Sequence, residues 1–266
     1  MNVLITGAWG WLGKALTEVV ARQHTVTAFE LESSDAPWET TEFNCRVIYG
    51  DVTNLADLRE ACKGQDAVIH AAAENTRSDR YAMGNPSPFL INVQGTYNLL
   101  EACRSEEIGQ VIQIASAETH VDHPEGTFLT HRDPYLGLPG NVYDLTKHLQ
   151  EKVCAWFARQ HGMNIISLRL GDIVDLEAGL SKWDAASWHN SMRTGSWIDR
   201  YDVGLACVKA LGLGLQGHQV FHLVGADSAR TRFDVERTEM ALDIKLTSDF
   251  DRRHASERGG DQTSEG

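Results

Sequence analysis

The chain begins Met1-Asn2-Val3-Leu4-Ile5-Thr6-Gly7-Ala8-Trp9-Gly10-Trp11-Leu12-Gly13. An apolar stretch runs straight into three glycines spaced Gly-x-x-Gly-x-x-Gly, and an amphipathic stretch with Leu12, Leu16, Val19 and Val20 follows. A strand that turns sharply into a helix in this way cradles a pyrophosphate. Gly7 permits the tight turn, Gly10 lets the backbone approach the phosphates, and Gly13 lets the helix pack on the strand. The unpaired N–H groups and positive dipole end of the helix then face the anion. The strand before and the helix after give the spacing its weight. The plainer alternative is a tight turn with no ligand.

Outward from this turn, strand and helix patterns alternate. Strands are expected at 3–5, 25–29, 46–49, 67–70, 111–114 and 165–170, with helices from Leu12, at 55–62 capped by Asn54, at 92–103 and at 142–161. Such alternation predicts an α/β fold, a Rossmann-type doubly wound parallel sheet with right-handed crossovers. Ligands in such sheets sit at the carboxyl ends of the strands, near the point where strand order reverses. After Gly171 the rhythm breaks. The stretch 172–195 is polar and Trp-rich, then a helix returns at 201–211, a strand at 220–223 and a helix at 233–242. The expected organisation is a dinucleotide-binding domain over 1–170, a small C-terminal substrate lobe over 171–246 interleaved with the sheet, and a disordered tail over 247–266.

The 266 residues can bury one substantial core. A net charge of −13 argues against a nucleic-acid groove or an anionic membrane surface. Apolar runs are too short for a membrane span, and no signal-peptide pattern precedes the first strand. Five scattered cysteines without Cys-x-x-Cys spacing fit reduced thiols in a cytoplasm. His120, His123 and His131 cluster in sequence without metal-ligand spacing, so no metal site is expected.

Glu30 ends the second strand, where an acid can bond the adenosine ribose hydroxyls of NAD and repel the 2′-phosphate of NADP. No Lys or Arg occurs between Arg22 and Arg46 to offset it; Glu32 is the substitute if the strand runs longer. Asp51, after the third strand, can accept from the adenine amine, with Val52 walling the ring; a turn or cap role is the alternative. The small residues of His70-Ala71-Ala72-Ala73 let backbone lie close to a cofactor, or let a helix pack tightly on the sheet.

Tyr143 and Lys147 stand four residues apart, on one face of a helix. A phenol titrates near ~10, too high for a base at neutral pH. A cation one turn away stabilises the phenolate and makes proton transfer possible. Ser116 follows the strand at 111–114, where its hydroxyl can orient a substrate carbonyl or alcohol; a turn role is the alternative.

These pieces together resemble the extended short-chain dehydrogenase/reductases, the epimerase/dehydratase branch, over about residues 1–245. The matching segments are the glycine turn, Gly50-Asp51-Val52, Val68 to Ala73, Asn92-Val93-Gln94-Gly95-Thr96, Ile114-Ala115-Ser116-Ala117, Tyr143 to Lys147, Leu168 to Gly171, and Trp197 to Val203. The resemblance implies that Ser116, Tyr143 and Lys147 are the catalytic triad and that Lys147 also bonds the nicotinamide ribose. It implies that Trp11 and Leu12 offer N–H groups to the pyrophosphate, that Asp51, Val52, Ala71 and Ala72 line adenine and ribose, and that Gly171 to Ile173 lie beside the nicotinamide. Asn92 reads mainly as structural. Family members often dimerise through two long helices, here 92–103 and 142–161, so a homodimer is expected.

Three departures narrow the activity. Ala115 replaces a common second Ser, and His120-Val121 replaces a usual Tyr-Gly. Dehydratases of the branch carry Thr-Asp-Glu where this chain has Ser116-Ala117-Glu118, which disfavours dehydration. The short C-terminal lobe shows no nucleotide platform, and the layout is nearest the uronate dehydrogenases, although their Ser-Ser-Asn-His run is absent. The expected activity is NAD-dependent oxidation of a small sugar-like substrate, a free sugar or sugar acid. The rivals are an NAD-retaining sugar epimerase and a non-catalytic dinucleotide sensor. Arg77, Arg80 and Arg193 are candidates to pair with a substrate acid, with solvent-facing arginines the plainer reading. Glu118 can orient a sugar hydroxyl or be a surface acid. Trp183, Trp188 and Trp197 can wall a sugar or fill the core.

Overall fold

Val3 and Ile5 face one side of a sheet and Leu4 the other, because successive strand residues point to opposite faces. All three are fully buried, so both faces must be covered by helices. The computed structural model describes residues 1–32, 45–74, 86–120, 122–137, 141–181 and 197–246, apart from the side chains of Glu118, Leu180 and Ser181.

The order along the chain is β1 (Asn2–Thr6), α1 (Trp11–Ala21), β2 (Thr25–Glu30), β3 (Arg46–Tyr49), α2 (Leu55–Cys62), β4 (Ala67–His70), α3 (Gly95–Ser105) and β5 (Gln110–Ser116). Then come α4 (Val142–His161), β6 (Asn164–Leu170), β7 (Asp172–Asp175), β8 (Leu180–Ser181), β9 (Trp197–Asp199), α5 (Arg200–Leu211), β10 (His218–Leu223) and α6 (Val235–Leu242). The main sheet runs β10-β6-β5-β4-β1-β2-β3, every pair parallel. Strand order reverses between β1 and β4, which opens a crevice at their carboxyl ends.

One apolar cluster packs α1, α5 and α6 against one face of the sheet, and a second packs α2, α3 and α4 against the other. Asn54 caps α2 by accepting from the Ala56 N–H at 3.0 Å, and Asn141 caps α4 by accepting from Asp144.

The expected strands and helices of the main layers are all present. The helix expected at 92–103 instead begins with a π-helical turn, Phe89–Gln94, and runs on as α3. The helix expected from Phe233 starts at Val235, because Asp234 caps it by accepting from Arg237. The stretch after Gly171, which showed no period, contributes β7, β8 and, with β9, a three-stranded sheet in the order β8-β7-β9. The expected tail at 247–266 lies outside the described residues.

Candidate active site

The glycine turn is closed by contacts that no side chain could share. Gly7 has φ +69°, and a Cβ there would lie 2.7 Å from Ala72 Cα. A Cβ on Gly13 would lie 2.0 Å from the Gly7 carbonyl oxygen. Gly10 precedes α1 and brings no side-chain cap, so the first amides of the helix have no intrahelical partner. They open into a cleft of about 340 Å³ lined by Gly7, Gly10, Trp11, Leu12 and Gly13. This cradle fits a dinucleotide: free N–H groups, a positive helix end, and backbone with no side chain between it and the ligand.

Glu30 lines the same cleft. One carboxylate oxygen accepts from the Trp9 N–H at 3.0 Å and the other from the Leu31 N–H at 3.1 Å. The acid is therefore fixed against the turn at the end of β2. Asp51 and Val52 also line the cleft; Asp51 accepts from the Thr53 N–H at 2.8 Å, a local turn that aims its loop inward. Ala71 and Ala72 continue β4 into the cleft, held by the Ala71 N–H to Thr6 carbonyl bond of 3.1 Å.

Beneath these residues lies a buried polar chain. Thr96 Oγ1 donates to the Asn92 carbonyl at 2.6 Å, so it can only accept from His70 Nε2 at 3.0 Å and from Gln150 at 2.7 Å. His70 Nδ1 then accepts from Thr6 Oγ1 at 2.7 Å. Burial, aided by the Lys147 charge, pulls the His70 pKa down to about 3, so the ring is a neutral strut. Asn92 accepts from the Glu74 N–H at 2.8 Å and donates to Thr146 Oγ1 at 2.9 Å, tying the end of β4 to α4. The structural reading of Asn92 matches this placement.

Ser116 ends β5, and Tyr143 and Lys147 sit on the first turns of α4; all three line the cleft. Thr119 Oγ1 donates to the Ser116 carbonyl at 2.8 Å and fixes the turn behind it. Lys147 is buried, and Nζ donates to the Ile114 carbonyl at 2.6 Å. Burial pulls its pKa down to about 8, while Glu151, one turn further on, and Cys154 push the other way. Burial alone would raise the Glu151 carboxyl, but Arg169 grips both its oxygens at 2.8 Å and holds it below the usual range. A cation at Lys147 beside a phenol at Tyr143 is an arrangement for proton transfer.

Ile173 of β7 lines the cleft with Asp172 and Val174. The sequence pattern did not point to Ile91, which also lines the cleft. Ile91 lies in the π-helical turn, a register that helical periodicity does not show. Arg77, Arg80, Arg193, Trp183 and Trp188, together with the Glu118 side chain, lie outside the described residues. Glu32 is described but does not line the cleft. Trp197 is fully buried in the core. His120 stacks on His123 and packs edge-on against His222, and its Nε2 lies 2.9 Å from the Asp133 carbonyl.

The dTDP-glucose 4,6-dehydratase of Mycolicibacterium smegmatis is 26% identical over 284 residues, covering 98% of this chain and 82% of that one. The L-arabinose 1-dehydrogenase (NAD(P)(+)) of Haloferax volcanii is 25% identical over 203 residues, 69% of this chain and 71% of that one. Among solved structures, uronate dehydrogenase from Agrobacterium tumefaciens superposes with a TM-score of 0.75 at 19% identity, over 96% of this chain and 88% of that one. MoeE5 in complex with UDP-glucose and NAD gives 0.76 at 19% identity over the full length of both. These likenesses establish the fold. Residues 3–174, which hold the glycine turn, Ser116, Tyr143 and Lys147, match one protein family, and the chain belongs to it: the NAD dependent epimerase/dehydratase family.

Proposed function

We propose that this chain is an NAD-dependent dehydrogenase that oxidises a small polyhydroxylated substrate, a free sugar or sugar acid. The observation that carries the reading is that Ser116, Tyr143 and Lys147 line the same cleft as the glycine turn. When bound, the nicotinamide supplies the hydride acceptor. Tyr143 takes the proton of the substrate hydroxyl, and the Ser116 hydroxyl holds the same oxygen. Lys147 keeps a positive charge beside the phenolate and offers a donor to the ribose. The apolar walls at Ile91, Ile114 and Leu170 limit water at the reacting end.

Gly7, Gly10, Trp11, Leu12 and Gly13 hold the pyrophosphate, Glu30 the adenosine ribose, and Asp51, Val52, Ala71 and Ala72 the adenine side. Ile173 packs beside the nicotinamide. Arg77, Glu118 and Arg193 are the proposed substrate contacts, and residues 171–246 the substrate lobe. The uronate dehydrogenase and L-arabinose dehydrogenase likenesses support a free sugar or sugar acid. The dTDP-glucose dehydratase likeness supports a nucleotide-sugar, yet Ala117 stands where the family resemblance calls for a dehydratase acid. The assembly in this reading is a homodimer through α3 and α4, where Tyr97, Leu145 and Trp156 are exposed. The five free thiols suit a reducing cytoplasm.

The test is an NAD-reduction screen over free aldoses, uronates and related sugar acids, with UDP- and dTDP-sugars as comparison. Stoichiometric NADH growth with a free sugar or sugar acid is the expected result. An epimerised nucleotide-sugar with no net NADH would replace the reading with the epimerase.

A further inference from the structure

Arg200, the first residue of α5, reaches across to the glycine turn. Its guanidinium lies 4.5 Å from the centre of the Trp11 ring, and Nη1 donates to the Trp11 carbonyl at 3.4 Å. Nη2 pairs with Asp175 Oδ2 at 2.6 Å and donates to the Tyr201 hydroxyl at 3.1 Å. Trp11 opens α1 and lines the pyrophosphate end of the cleft. Asp175 ends β7, the strand whose residues 172–174 also line the cleft. One mostly buried side chain thus ties two segments of the cleft lining together.

The surroundings make this span stiff. Asp199 caps α5 through the Tyr201 and Asp202 N–H groups, and its other oxygen accepts from the Leu176 N–H at 2.7 Å. Asp175 Oδ1 accepts from the Ala178 N–H at 2.9 Å. α5 lies close against α1: a Cβ on Gly204 would sit 2.8 Å from the Val19 side chain.

The placement is also locally unfavourable. A cation beside a helix N-terminus opposes the helix dipole, and Arg200 Nε is buried with no hydrogen-bond partner. Local violations of this kind mark positions kept for function. Arg suits the task where Lys does not, because a planar guanidinium stacks on an aromatic face while its separate N–H groups reach a carbonyl and a carboxylate.

Resting on the dinucleotide reading above, we propose that Arg200 is a positioning residue: it braces Trp11 against Asp175, so that the first amides of α1 stay aimed at the cofactor diphosphate. Arg200 touches no cofactor itself. It acts on the diphosphate end and leaves adenosine recognition, at Glu30, Asp51 and Val52, alone.

The experiment measures dissociation constants of NAD, ADP-ribose and adenosine for the full chain, with adenosine read by competition against ADP-ribose. Arg200→Gln should weaken NAD and ADP-ribose about tenfold and leave adenosine within about twofold. Arg200→Lys, which keeps the ion pair and loses the stack, should fall between wild type and Arg200→Gln. Asp175→Asn should weaken the same two ligands, and it decides with Arg200→Lys if Arg200→Gln does not fold. Unchanged NAD affinity in the variants would overturn the proposal, and so would equal losses for all three ligands, which would mark a merely structural role. Wild-type protein that binds none of the three would overturn the cofactor reading itself, and this proposal with it.

Discussion

The Lys147 ammonium donates to the Ile114 carbonyl at 2.6 Å, so the second turn of α4 is tethered to β5 two residues before Ser116. The bond fixes the spacing between the helix that carries Tyr143 and the strand that carries Ser116. It also holds a cation in a buried site, where its pKa falls to about 8.

That burial has a stability consequence. A Lys pKa lowered from 10.5 in the unfolded chain to about 8 in the folded one disfavours folding wherever the unfolded chain holds the extra proton. The deficit at neutral pH is about 3 kcal/mol and is relieved as pH rises from 8 toward 10.5. Lys147→Met should therefore raise the urea midpoint at pH 7 while cutting turnover by about 100-fold and weakening NAD several-fold. A variant that loses both stability and activity would show that the ammonium is chiefly a structural tie.

Cofactor choice should follow Glu30, whose carboxylate is fixed by the Trp9 and Leu31 amides. Binding titrations should show tighter NAD than NADP for the wild-type protein. Glu30→Ala should weaken NAD selectively and narrow the gap, because it removes both the ribose acceptor and the charge that repels a 2′-phosphate. Equal or tighter NADP binding by the wild-type protein would contradict the role given to Glu30.

Acid should unfold the protein early. Burial lowers His120 and His218 from 6.5 to about 4, His70 to about 3, and His222 well below its usual value. Each binds its proton sooner in the unfolded chain, so the stability is present above pH 6.5 and is lost as pH falls toward 4. For His70, His120 and His218 the loss is on the order of 1–3 kcal/mol each. Asp202 opposes this: burial and Asp199 raise it from 3.8 to about 6, which favours the folded state as pH falls. Urea midpoints at pH 7, 6 and 5 should decline steadily, and His120→Asn should flatten the decline. A midpoint independent of pH over this range would show that these rings are charged in the fold or already exposed.

The glycine turn should tolerate nothing larger at its tightest point. Gly13→Ala places a Cβ 2.0 Å from the Gly7 carbonyl, so α1 must shift away from β1. NAD affinity should drop by at least about tenfold, with a lower thermal midpoint. Retained affinity would mean that the turn does not hold the pyrophosphate.

Much of the fold was legible because a doubly wound sheet buries both strand faces. Val3-Leu4-Ile5, Val68-Ile69 and Ile165-Ile166 are therefore continuous apolar runs between amphipathic helices. The cradle was equally legible, since Gly7 and Gly13 answer to local geometry. The β7–β9 pairing was not. Asp172–Asp175 and Trp197–Asp199 are short and mixed in polarity, and they meet only through long-range register. Arg200 was unreadable for the same reason: its partners Trp11 and Asp175 come from distant parts of the chain. The π-helical turn that brings Ile91 to the cleft breaks the 3.6-residue period by which helices are recognised.

The most direct measurement is turnover and NAD affinity of Tyr143→Phe on a substrate found in the screen. The substitution removes only the phenol oxygen and leaves the ring in place. Turnover should fall by about 10²–10⁴-fold while the NAD dissociation constant stays within about twofold of wild type. Near wild-type turnover in Tyr143→Phe would contradict the assignment of Tyr143 as the base, and with it the dehydrogenase mechanism drawn from the Ser116, Tyr143 and Lys147 geometry.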